Sequence, residues 1–155
     1  MKQTIIKAFL CLVVALSGLT ANAQVKAFEK YADMKDVSYV YISKFMLGMV
    51  GKQATPQVPG VNVKNLANKL TGIQIIHADS KSAQTKLKND VKALMAKDKY
   101  ELMMQMNEED NKVNIYHNIH KQQSVVSMLV DGKDGVTVMV FSGKFTIDDV
   151  MKMTQ

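Results

Sequence analysis

The chain has 155 residues, with 20 basic residues against 14 acidic ones and a formal net charge of +6. Every basic residue is lysine, which excludes the forked guanidinium grip on phosphate or carboxylate. A single cysteine rules out an internal disulfide framework and a cysteine-cluster zinc site, while 47% apolar and 22% charged residues describe a globular chain rather than a disordered one.

The first segment reads as an address. Lys2 and Lys7 precede the apolar run from Ala8 to Leu19, which gives way to the small-x-small sequence Ala21-Asn22-Ala23. A charged start, an apolar stretch short for a bilayer span and such a terminus predict a signal peptide over residues 1–23, cleaved between Ala23 and Gln24. Cys11 would leave with it. The mature chain is then cysteine-free, which suits an oxidising compartment and removes thiol chemistry. The expected location is periplasmic or secreted, with no transmembrane segment in the mature chain and one domain over residues 24–155.

In chain order, Phe28, Tyr31 and Ala32 recur at helical spacing between Gln24 and Lys35 and predict a short amphipathic helix. Val37–Ser43 is β-branched and aromatic and predicts a strand, with a helical turn or two over Phe45–Val50. Both prolines fall between Lys52 and Gly60, so that stretch is the expected loop. Asn62 as N-cap, then Val63, Leu66, Ala67 and Leu70 on one face, predict a helix stopped by Gly72. A short strand Ile73–Ala78 follows. The clearest helix starts at Asp79 or Ser80, with Ala83, Leu87, Val91, Leu94 and Met95 on its apolar face.

From Lys99 the apolar period changes from 3.6 to 2. Tyr100, Leu102, Met104 and Met106 alternate with Glu101, Met103 and Gln105, as Val113, Ile115, His117 and Ile119 do with Asn114, Tyr116, Asn118 and His120 after the turn at 107–111, predicting a hairpin. Ser124–Val130 and Val136–Phe141 form a second pair across Asp131–Gly135, where glycine makes positive φ cheap. Thr146 and Asp149 have the spacing of an N-terminal capping box before a short final helix. The sum is an α+β domain: a mostly antiparallel curved sheet of about six strands, the last four as sequential hairpins, with helices packed on one face.

Catalytic and metal constellations are weak. His117 and His120, three apart on a strand, point to opposite faces and make a poor ligand pair, and no spacing brings His77 to either. Met103, Met104 and Met106 offer soft thioethers of a kind that hold Cu(I), but they also fill the apolar slots of an alternating strand. The acidic turns lack the calcium-loop spacing. No nucleophile motif or glycine-rich phosphate loop occurs. Lys81, Lys88 and Lys92 on one helix read as a solvated face, since no arginine or interleaved aromatic residue supports nucleic-acid binding. No cofactor, metal or catalytic residue is therefore expected.

Three features together, the Ala21-Asn22-Ala23-Gln24 site, the passage Val37-Ser-Tyr-Val-Tyr-Ile-Ser-Lys-Phe-Met46 and the hairpin tail after the lysine-rich helix, are distinctive. With them the chain resembles the small exported proteins of Bacteroides-type bacteria grouped as domain of unknown function 4252. That resemblance implies a Gram-negative envelope protein and supplies no catalytic residues. The function expected is a non-enzymatic protein-binding module working through a sheet edge or the face carrying Tyr116, Asn118 and His120, with an envelope protein as partner. The alternative is a small-molecule or lipid carrier using an apolar, Met-rich pocket.

Overall fold

The computed structural model describes residues 26–50, 68–119 and 123–152. The chain falls into two units, Met1–Lys30 and Tyr31–Gln155. In the first, residues 26–29 are helical, and the helix expected over 24–35 stops at Glu29, short of what its periodicity suggests. The proline-containing loop, and the expected helix from Asn62 to Ala67, lie outside the described residues.

The second unit is built on six strands: β1 Val37–Ser43, β2 Leu70–Ala78, β3 Glu101–Asn107, β4 Asn111–Ile119, β5 Ser124–Gly132 and β6 Gly135–Gly143. They form one open sheet in the order β1-β2-β6-β5-β4-β3 with every neighbouring pair antiparallel. Helix α1, Lys44–Val50, follows β1 directly; α2, Lys81–Lys97, links β2 to the far edge strand β3; α3, Ile147–Met151, follows β6. The chain thus crosses the sheet once through α2 and returns as a four-strand meander that ends against β2. The fold class is the α+β one expected, with its last four strands as sequential hairpins.

The register assigns each side chain to a face, because cross-strand partners point the same way. Val40, Ile75, Met139, Met128, Ile115 and Met104 lie side by side across all six strands. On this face Ile73, Phe141, Val126, Met128 and Ile115 cluster with Leu47 of α1, Phe145 and Val150 of α3. The opposite face presents Tyr39, Ile76, Val138, Leu129 and Asn114 in another row. Helix α2 lies on that face, where Lys88 Nζ is 2.9 Å from Asp131 Oδ2, and it buries Ala83, Leu87, Val91 and Met95. The long helix therefore lies on one face, while the short helices contribute to the cluster on the other.

Local chemistry sets the helix ends. The Ser80 side chain accepts from Ala83 N at the start of α2, and Thr146 and Asp149 form the reciprocal capping box of α3. Gly135 has φ 136° and closes the β5–β6 turn, as its place in the sequence predicts.

Two local expectations are corrected. The helix predicted to run through Leu70 and stop at Gly72 gives way to β2, which begins at Leu70. Pairing with both β1 and β6 satisfies this backbone from two sides, a gain that local helical spacing does not anticipate. A Cβ at Gly72 would sit 3.2 Å from a ring carbon of Tyr41, so the residue is a strand glycine under an aromatic ring. In β3 a register shift between Leu102 and Met104 breaks the expected alternation: Leu102 pairs with Tyr116 on the α2 face, whereas Met104 pairs with Ile115 on the other.

Candidate functional site

An open sheet has two edge strands, and unpaired backbone groups along an edge are a template for another strand unless something blunts them. The two edges differ. β3 carries Glu101 and the register shift at Met103, both of which discourage pairing. β1 has neither: its seven residues contain no charge and no proline, and they pair with β2 in continuous register from Val37 to Ser43. Among the described residues, no backbone hydrogen bond reaches its outer side.

The side chains beside this edge are apolar and open. Val40 is 48% and Tyr41 47% exposed, on opposite faces of the strand. Helix α1 buries Leu47 and leaves Phe45 73% exposed, with Met46 and Met49 also in the open. A lone exposed apolar side chain is ordinary; here five fall within ten residues, on one edge strand and the helix continuing it. Tyr39, on the same face as Tyr41, receives a 2.9 Å hydrogen bond from Gln74 Nε2 that holds its ring at the edge.

The residues singled out from the sequence fall elsewhere. Tyr116 and Asn118 are half-buried on the α2 face, and Asn118 Nδ2 donates to the carbonyl of Asp98 just past α2, at 2.8 Å. His120 lies outside the described residues, and the cleavage pair Ala23 and Gln24 does too. His117 is turned to the other face, its Nδ1 buried without a hydrogen-bond partner and its Nε2 3.7 Å from Glu101. His77 shares that face three strands away and four residues along β2 from Ile73, which lies in the row of His117, roughly 20 Å off at ordinary strand spacing and rise; it is held by Thr137 at 2.8 Å and Asp79 at 3.1 Å. No group of three or more His, Cys, Asp or Glu side chains among the described residues is placed to hold a metal ion. Met104 sits exposed on edge strand β3.

A second feature is a groove of about 270 Å³ between α2 and strands β4 and β5. Lys88, Lys92 and Lys112 border it together with Asn89, Asn114 and Asp131. Asp131 already engages Lys88, and Asn114 Oδ1 is buried there with no partner. The helical lysines were legible as a row, but the contribution of Lys112 from β4 required the sheet.

The described residues thus form a small antiparallel α+β domain with one blunted edge, β3, and one uncharged edge, β1. No described helix is long and apolar enough to cross a membrane. The chain belongs to the family described as Domain of unknown function (DUF4252), whose model matches residues 31–153 and so takes in every strand and all three labelled helices. Comparison with curated proteins finds no match, and comparison with solved structures finds none either.

Proposed function

We propose that the protein is an exported, periplasmic or envelope-associated binding module, non-enzymatic, that takes a protein partner by strand addition along β1. The observation that carries this reading is the uncharged, proline-free, continuously registered edge strand with Val40, Tyr41 and the apolar face of α1 beside it. In strand addition the backbone supplies affinity and alternate side chains supply choice of partner. Export rests on the lysine-flanked apolar leader and the Ala21-Asn22-Ala23 site.

A photoreactive residue at Tyr41, introduced in intact cells, tests the docking edge: it should yield a discrete crosslinked species, while the same residue at the exposed Glu109 turn should not. No adduct from Tyr41 under any growth condition would end the reading. N-terminal sequencing of the protein recovered from cells tests export, with Gln24 the expected first residue.

A further inference from the structure

We infer that the partner taken by β1 is a second copy of this chain, paired antiparallel about a two-fold axis at Val40. The inference rests on the reading of β1 as a docking edge and names what occupies it.

The argument is self-complementarity. A two-fold pairing demands that a surface match itself, so that residue i meets j and j meets i. With Val40 opposite Val40 of the second copy, Tyr39 meets Tyr41 and Tyr41 meets Tyr39, because the central sequence Tyr-Val-Tyr reads the same in both directions. Both tyrosine pairs fall on the α2 face, where opposed aromatic side chains stabilise a ladder. Val40 falls on the other face, and there the apolar row from Met104 to Val40 would run on into its copy.

The ends of the strand match as well. The same spacing brings Asp36, in the turn before β1 with φ 60°, near Lys44, the first residue of α1, at both ends of the paired strands and just outside the ladder. Both residues are exposed, and neither side chain has a hydrogen bond or ion pair among the described residues. A shift of one residue in either direction would lose both charge matches and set each tyrosine row against the wrong face. Without Lys2 and Lys7 of the leader the chain keeps a formal net charge of +4 and repels its copies at long range, so an edge free of lysine between two opposite-sign caps is the place where copies can meet. β3, with Glu101 and its register shift, offers no such symmetry.

The test is sedimentation of the full chain over a wide concentration range, with charge-reversed variants. The parent should show a reversible monomer–dimer equilibrium. Asp36→Lys and Lys44→Asp each place like charges together at both ends and should weaken the dimer by about tenfold or more. The double variant restores opposite charges in exchanged positions and should return to within about threefold of the parent. Unfolding transitions of all three should stay within about 1 kcal/mol of the parent, the changes being a lysine at the φ of 60° held by Asp36 and an acid at the start of α1. A parent that stays monomeric at every concentration, or a double variant no better than either single one, overturns the inference. Crosslinking from Tyr41 separates the two readings: an adduct of twice the chain mass supports self-pairing, a heteromeric adduct from a monomeric chain sinks self-pairing but leaves strand addition standing, and no adduct sinks both.

Discussion

Lys69 places its Nζ 2.7 Å from both carboxylate oxygens of Asp149, binding the residue before β2 to the cap of the last helix, α3. The same carboxylate accepts from the Thr146 backbone N–H at 2.8 Å, while Thr146 Oγ1 accepts from Asp149 N at 3.4 Å. The Lys69 hydrogen bonds first, and the Thr146 amide second, hold the Asp149 carboxyl down to about 2. A folded value below the unfolded one near 3.8 means that the stabilisation is complete above about pH 4 and is lost as pH falls toward 2. Asp149→Asn should flatten that part of the acid limb in a pH series of urea melts, and Thr146→Ala should cost about 1 kcal/mol at neutral pH. An acid limb unchanged in Asp149→Asn would refute the assignment.

Tyr31 is fully buried and its phenol donates to the Asp90 carboxylate of α2. Burial above all, then the hydrogen bond to Asp90 and the charge of that carboxylate, push the phenol well above its ordinary 10. Because the folded value is raised, this contribution is complete below about pH 10 and declines as pH rises beyond it. Tyr31→Phe keeps the ring and removes the donor to a charged group; a loss of about 1.5 kcal/mol is expected, with weaker alkaline sensitivity. Chemical denaturation at pH 7 and above pH 10 measures both.

Gly135 combines φ 136° with a close approach: a Cβ there would lie 2.6 Å from the carbonyl oxygen of Ala78. Gly135→Ala is expected to lose about 1 to 3 kcal/mol from the backbone conformation alone, and more from the clash with β2. A denaturant midpoint equal to that of the parent would show that the turn is not closed this way.

The two edges should respond differently to charge. Val40→Lys sets a lysine at the centre of β1, where edge pairing depends on its absence, and should leave folding stability within about 0.5 kcal/mol while suppressing concentration-dependent association. Leu102→Lys on β3 makes the same change beside Glu101 and an existing register shift, so light scattering should record little difference from the parent.

Periodicity was a good guide wherever one face of an element is buried. The β1 boundaries, the four apolar knobs of α2 and the capping box of α3 are all legible in the residues, because each depends on neighbours close in sequence. Leu70 and Gly72 misled because their helical spacing is real but a strand between β1 and β6 gains more. The register shift at Met103 left no trace in an alternating run. The site suffered most: Tyr-Val-Tyr and its flanking Asp36 and Lys44 are plain in the sequence, yet only the sheet order reveals that they lie on an edge.

The pairing of β2 with β6 carries a consequence for how the molecule comes to exist. These strands are neighbours at the middle of the sheet, yet α2, β3, β4 and β5 all intervene between them in the chain. Contacts so distant in sequence make loop closure costly and folding slow. While the chain is being synthesised from its N-terminus, β1 and β2 wait with an unpaired seam until the final strand emerges. A chain cut short before Val136 has no sheet centre, and its early hairpin and late meander have nothing to join them. The sheet therefore closes only once β6 has been made, and the strands before it stay pliable until then.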